Sequence, residues 1–186
     1  NTGSYSWTIP NNISTTCKVK VTDTNDATVN DASNDNFKIQ AGFAVTAPNG
    51  GEVWLVGGSQ SLAWTTQGTV NFVKLEYSTD GGTTYPNVIT TSTSNLGTYS
   101  WTVPDNVSGT VRIKVTDTTD AEAFDASNAN FRIRATITLT SPNGGQQWLV
   151  GNPYNITWNI VGTLANVKLQ YSRDGFLTDN QTISAA

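Results

Sequence analysis

The stretch "VKLEYSTDG" at residues 73–81 returns as "VKLQYSRDG" at 167–175, 94 residues later. Apolar and polar residues alternate in it. Val73, Leu75 and Tyr77 fall on one side, Lys74 and Glu76 on the other, the period-two pattern of a strand with one dry and one wet face. Asp80-Gly81 follows at once, a strong hairpin signal between alternating segments. The same alternation extends outward in both directions. "SLAWT" (61–65) turns Leu62 and Trp64 inward, and its copy "YNITWNI" (154–160) does so with Tyr154, Ile156, Trp158 and Ile160. "YSWTV" (99–103) contributes Tyr99, Trp101 and Val103. "VRIKV" (111–115) contributes Val111, Ile113 and Val115, with Arg112 and Lys114 outward. "NFRIR" adds Phe131 and Ile133, and "FAV" adds Phe43 and Val45.

Turn signals punctuate these runs: "PNGG" at 48–51, "VGG" at 56–58, "TDGG" at 79–82 and "VPDN" at 103–106. No segment carries a sustained helical period. About seven short strands in about 94 residues predict an all-β fold of tandem immunoglobulin-like (fibronectin III-like) antiparallel β-sandwiches. A single cysteine excludes an intrachain disulfide, so the Trp and aliphatic positions must fill the core alone. That residue, Cys17, aligns with the inward Val111 and reads as a small buried hydrophobe; a reactive thiol is the alternative if the partial unit is open.

The repeat runs through the whole chain. "TAPNGGEVWLVG" (46–57) returns as "TSPNGGQQWLVG" (140–151), and "DASNDNFKI" (31–39) as "DASNANFRI" (125–133). Residues 1–42 match 95–136 at 25 positions without a gap, which marks duplication rather than shared composition. The unit boundaries follow: 1–41 is the C-terminal part of one repeat, 42–135 a complete repeat, and 136–186 the N-terminal part of a further one. The two partial repeats add up to nearly one whole unit. The path from Tyr171 through the junction to Tyr5 is two residues shorter than that from Tyr77 to Tyr99. A half sandwich exposes its apolar face and open strand edges. Either 1–186 is a window of a longer continuous array, as the unbroken look of the junction loop favours, or separate chains complete each other head to tail. The expected assembly face is Tyr5, Trp7, Ile9, Cys17 and Val19 on one side, and Tyr154, Ile156, Trp158, Val167 and Leu169 on the other.

Composition narrows the function classes. Hydrophobic residues make up 37% of the chain, enough for packed cores, while only 13% of residues are charged. Solubility therefore rests on hydroxyls and amides, a balance common in secreted β-proteins. A net charge of −4 offers no footprint for a polyanion, so nucleic acid is not an expected partner. No apolar run approaches the roughly 18–20 residues of a membrane span. With no histidine, Ser-His-Asp and Cys-His catalysis and His-containing metal sites are excluded within this sequence.

The motifs "SPNGGQQW", "YNITW", "VKLQYSRDG", "GTYSWTVPD", "VRIKVTD" and "DASNANFRI" resemble the Ser-Thr-rich glycosylphosphatidylinositol-anchored-membrane family domain, shared with fungal cell-wall assembly proteins. The order is kept in each unit. Similar modules occur in tandem in large secreted and surface proteins of bacteria and archaea. The resemblance implies an immunoglobulin-like extracellular building block without catalytic residues. It implies nothing about anchoring, since the Ser/Thr-rich tail of the fungal members has no counterpart in these residues.

Three kinds of candidate site stand out. The acidic loop "VTDTNDATVNDASN" (21–34) recurs as "VTDTTDAEAFDASN" (115–128), placing Asp23, Asp26 and Asp31 opposite Asp117, Asp120 and Asp125 in the repeat. Clustered carboxylates could coordinate calcium, which takes six to eight oxygens, and stiffen a module junction. The alternative is a solvated loop whose Asp, Asn and Ser side chains cap turns. A glycosidase pair would need a cleft and one carboxyl of raised pKa, which a narrow sandwich does not offer. Trp54 and Trp148 follow the "NGG" turns; they either stack on sugars or plug the sandwich ends. Sequons at Asn12, Asn106, Asn155 and Asn180 arise at chance frequency in a chain with 20 Asn. Together these readings predict a non-enzymatic extracellular or cell-surface array, stalk or filament. Its partners would be neighbouring repeats or copies of itself. No cofactor is required and calcium is the one candidate. The alternative is a carbohydrate-binding or adhesin module that meets surface glycans.

Overall fold

The structure, a computed structural model, describes residues 2–185; residues 1 and 186 of the expected outer spans lie outside the described residues. All regular structure in it is β, with no helix among the described residues and hence none long and apolar enough to cross a membrane. The N-terminal segment holds β1 (Ser14–Cys17), β2 (Lys20–Thr22), β3 (Asn30–Ala32) and β4 (Phe37–Ile39). The central unit runs through β5 (Gly42–Ala47), β6 (Val53–Leu55), β7 (Ser59–Gln67), β8 (Phe72–Ser78), β9 (Asn87–Ser94), β10 (Thr98–Thr102), β11 (Ser108–Asp117), β12 (Phe124–Ala126) and β13 (Phe131–Arg134). The C-terminal segment holds β14 (Thr136–Ser141), β15 (Thr157–Val161), β16 (Lys168–Tyr171) and β17 (Gln181–Ala185).

The central unit is a two-sheet sandwich. One sheet has the order β10-β7-β5; the other has the order β6-β13-β11-β8-β9, with β12 also on β11. The alternation read from sequence is the alternation of burial. Leu62, Trp64, Val73, Leu75, Tyr77, Trp101, Val103, Val111, Ile113, Val115, Phe131 and Ile133 are all buried in one cluster. Apolar side chains facing the partner sheet leave water, and this drives the closure of the two sheets.

Two features depart from the expectation. The central unit has nine strands rather than about seven: the six alternating runs form β5, β7, β8, β10, β11 and β13, and β6, β9 and β12 form besides them. Strand β9 reads "NVITTSTS": as an edge strand it takes hydroxyl side chains and shows little apolar alternation. The second departure is that β6 pairs with β13 in parallel, with Ile133 opposite Trp54. The chain leaves β5 in one sheet, passes the "PNGG" turn and enters the other sheet without reversing. The turn is tight: Gly50 has φ 135°, and a Cβ there would lie 2.5 Å from the Ala129 Cβ. The Asp80-Gly81 hairpin joins β8 to β9 as expected.

Buried polar groups are bonded at the places where the sheets meet. Ser127 Oγ accepts from the Ile113 amide (3.0 Å) and donates to the Pro48 carbonyl (2.7 Å). The Val45 amide donates to Asp125 Oδ2 at 2.7 Å, tying β5 to β12. Trp64 Nε1 donates to Asn95 Oδ1 at 2.7 Å, and Asn106 Nδ2 donates to the Tyr77 hydroxyl at 2.7 Å. The ring of Trp54 packs at 4.9 Å from Phe131 and 6.0 Å from Trp101.

Candidate assembly interface

Residues 42–92 form the front half of the central unit and 95–135 its back half. Three ladders join them. Strand β10 lies antiparallel on β7, with Tyr99 opposite Leu62 and Trp101 opposite Gln60. Strand β11 lies antiparallel on β8, with Ile113 opposite Tyr77 and Val115 opposite Leu75. Strand β6 runs parallel to β13. The remaining ladders, β5–β7, β8–β9, β11–β12 and β11–β13, stay within one half.

The outer segments keep the ladders that lie within a half, in the same register. In the N-terminal segment Ser14 faces Ile39 and Cys17 faces Phe37, as Ser108 faces Ile133 and Val111 faces Phe131. Val21 faces Asp31, as Val115 faces Asp125. In the C-terminal segment Thr136 faces Val161 as Gly42 faces Gln67, and a hairpin joins β16 to β17. The equivalents of the three ladders that cross between halves are absent among the described residues. Stretches whose only partner would be the other half form no strand. They are residues 4–8, matching β10, and 147–149, matching β6. Strand β15 likewise lacks the 153–156 portion that in β7 lies against β10.

The expected assembly residues lie on the surfaces left open. Tyr5, Trp7, Ile9 and Val19 are exposed and Cys17 is half-buried with a free thiol, as is expected of an inward position with its cover missing. Tyr154 is exposed, and Ile156, Trp158, Val167 and Leu169 are half-buried. The last four help line an open apolar trough of about 300 Å³ between β14–β15 and β16–β17.

The junctions between units carry a second repeated geometry. Asn11 of the N-terminal segment donates to Thr69 Oγ1 (2.7 Å) and accepts from the Thr69 amide (2.9 Å). Ninety-four residues on, Asp105 accepts from the Thr163 amide (2.7 Å) and hydroxyl (2.6 Å). The Thr163 hydroxyl holds the Asp105 carboxyl below its ordinary pKa. Beside each threonine a glycine, Gly68 or Gly162, sits at φ 93° or 92°; a Cβ would lie 3.0 Å from the Ala135 Cβ at Gly162, and 3.3 Å from Ile13 Cδ1 and 3.6 Å from the Ala41 Cα at Gly68. The first junction has an ion pair as well. Lys38 Nζ lies 2.6 Å from Glu122 and 3.2 Å from Asp120, which raise its pKa, Glu122 the more. Sequence reasoning missed these residues. The signal was a polar residue after "IP" or "VP" recurring together with "GT" at 68–69 and 162–163.

The acidic loops do not converge on an ion site. Among the described residues no three His, Cys, Asp or Glu side chains gather as metal ligands. Asp117 accepts from the Thr119 amide and hydroxyl, Asp120 meets Lys38, and Asp125 holds the Val45 amide. Asp23 accepts from the Asn25 amide, and Asp26 from the Thr28 amide and hydroxyl. Asp31 takes its place in the β2–β3 ladder. Asp23, Asp26 and Asp117 thus take the turn-capping roles of short polar side chains. At the first junction Lys38 supplies a positive charge beside Asp120 and Glu122.

Trp54 is buried against Trp101 and Phe131, so it presents no face to a sugar and plugs the core, correcting the stacking expectation there. Trp148 is exposed and stacks flat on Tyr154 at 5.0 Å. Of the sequon asparagines, Asn12, Asn155 and Asn180 are exposed, while Asn106 is half-buried against Tyr77. Glu76, expected to point to water, is on the outer face of β8 yet buried, 2.6 Å from Lys74 and 3.7 Å from Lys114.

No protein-family model matches the chain, and no curated protein matches it. Among solved structures it is similar to the fibronectin(III)-like modules of Clostridium thermocellum CbhA. That match covers 77% of this chain and 72% of the other, at 15% identity and a TM-score of 0.32. The sandwich assignment rests on the strand pairings and the common core of the two sheets.

Proposed function

We propose that the chain is a non-enzymatic structural repeat of an extracellular array, stalk or filament. Its half repeats are completed by matching halves, from adjoining sequence or from a neighbouring chain. The observation that carries this reading is the junction made twice: Asn11 with Thr69 and Asp105 with Thr163, each beside a left-handed glycine packed on an alanine. Units joined by the same contacts repeat the same step, and repetition of one step builds a regular thread whose length follows repeat number. The resemblance to tandem modules of secreted and surface proteins, and the hydroxyl-rich, weakly charged composition, support a place outside the cell.

Electron microscopy of the native protein tests this, with threads of evenly spaced units as the expected image. The second reading, a carbohydrate-binding or adhesin module, draws on one observation, the exposed Trp148–Tyr154 stack. Glycan-array binding that disappears in Trp148→Ala, without threads in the microscope, would replace the structural reading with that one.

A further inference from the structure

We propose that the outer face of the larger sheet in the central unit binds one ring of a neutral sugar. The site lies wholly within the central unit and goes beyond the array reading, on which it does not depend. Strand β8 brings Lys74 and Glu76 to this face and β11 brings Lys114 and Thr116, with Glu76 opposite Lys114 and Lys74 opposite Thr116. Strand β12 sets Phe124 on the other side of Thr116. These β8 and β11 side chains, with Thr91 and Thr118, line a groove of about 260 Å³. That is far more than the roughly 30 Å³ share of one water and just under the roughly 300–1,000 Å³ of pockets for drug-sized ligands, so it suits a single ring.

Two polar groups lining this groove lack partners. Thr116 is 7% exposed, and its hydroxyl has no hydrogen-bond partner. A buried hydroxyl left unpaired is costly, and native structures hold few of them. The Lys114 ammonium carries three donors. Glu76 Oε2 is 3.7 Å from it, beyond hydrogen-bond length, and the ring centres of Tyr85 and Phe124 are each 5.1 Å away. Among the described residues Lys114 Nζ makes no hydrogen bond. A ligand that offers oxygens at this place meets both needs.

Charge selects the class of ligand. Lys74 and Lys114 are balanced in the lining by Glu76 and Asp117, and the whole chain carries −4, so nothing draws an anion. The unmet ammonium donors disfavour a cation. A neutral polyol fits the mixture: its oxygens accept from Lys114, its hydroxyls donate to Glu76, and one of them pairs with Thr116, which both donates and accepts. Phe124 is 52% exposed and gives the C–H face of a sugar ring apolar surface beside the groove. A ligand reaches Thr116 by turning aside the flexible four-carbon stem of Lys74 or Lys114, its neighbours on the face. The strands beneath hold still, because Leu75, Ile113 and Val115 are fully buried on the opposite side. The other repeats keep the lysines and the threonine as Lys168, Lys20 and Thr22, but put Gln170 for Glu76 and Asn30 for Phe124. The carboxylate acceptor and the apolar surface thus belong to the central repeat.

Amide NMR of the 186-residue chain, titrated in turn with glucose, galactose, mannose, xylose and N-acetylglucosamine, tests the proposal. The expected result is saturable shifts with at least one of these sugars at the amides of Lys74, Thr91, Thr116 and Thr118, and none at Lys20, Thr22 or Lys168. Thr116→Val removes the hydroxyl and keeps the shape. The central unit should melt no lower, since an unpaired group is lost, while sugar affinity falls about tenfold. Lys114→Met should weaken binding by a similar factor, and Trp148→Ala should leave it unchanged. The absence of saturable shifts with every sugar overturns the proposal. So does binding that survives Thr116→Val and Lys114→Met, or that is lost in Trp148→Ala instead. Tighter binding of glucuronate than of glucose overturns the neutral class. Threads in the microscope are a separate readout: their absence would sink the array reading and leave this site standing.

Discussion

The central unit and the two outer segments are written in nearly the same sequence, yet they differ in what covers them. Val115 is 0% exposed and its counterpart Val21 is 72% exposed; Trp101 is 7% exposed and Trp7 is 46%. On the other half, Val45 is 3% exposed and Leu139 is 44%. The ladders inside each half nevertheless have matching registers in all copies. Pairing between strands close in sequence is decided locally, by turn chemistry and alternation. Burial is decided by the other half, and removing it exposes the face without rearranging the strands beneath.

The largest effect that should separate the two environments is a core truncation. Leu75→Ala in the central unit should cost about 3 kcal/mol in urea unfolding, because a fully buried side chain leaves a cavity. The matching Leu169→Ala should leave the central transition unchanged, because Leu169 lies outside the core of the central unit. Next comes the clasp between the sheets. Asp125→Ala strands the Val45 amide and should cost about 1–2 kcal/mol in the same measurement. Asp31→Ala should leave that transition unchanged, since among the described residues no main-chain amide is bonded to its side chain.

A third test concerns a feature that does not differ between the regions. Asp80 accepts from Ser78, Thr84 and the Thr84 amide, and Asp174 makes the same set of contacts with Thr178 and Ser172. These bonds hold both carboxyls well below the ordinary range, Ser78 leading at Asp80 and Thr178 at Asp174. A depressed folded pKa stabilises fully above the unfolded value of about 3.9 and is lost as pH falls through the folded value. The contribution of Asp80 to the central unit should therefore begin to fall below about pH 4 and be gone only in strong acid, and Asp80→Ala should make that acid decline shallower. The smallest effect lies at the junctions. Asp105→Ala should speed hydrogen exchange at the Thr163 amide, and Asn11→Ala at the Thr69 amide, while the central melt stays in place.

Much of this was legible in the residues. The period-two stretches became β7, β8, β10, β11 and β13, and the Asp-Gly signal became the β8–β9 hairpin. Illegible were the short β6, whose pairing depends on β13 far along the sequence, the three-residue β12, and β9, whose hydroxyl-rich edge carries little apolar signal. Glu76 read as solvent-facing because alternation assigns a face and says nothing of the lysines that fold over it. The acidic loops offered calcium as one reading because spacing brings carboxylates near in sequence, while the side chains of Asp23, Asp26, Asp117 and Asp125 accept from main-chain amides and Asp120 also meets Lys38.

The sequence by itself determined the repeat, its strands and the side of each strand that must be dry, since these follow from alternation, turn residues and duplication. Only the tertiary structure decided that Trp54 is core and Trp148 is surface, although the two follow equivalent turns. The difference lies in what stands opposite: Phe131 and Trp101 meet Trp54, whereas Trp148 stacks on its own Tyr154 and among the described residues has no other ring partner. An apolar side chain is specified by its own strand but buried by another, and that second strand belongs to the fold rather than to the local sequence.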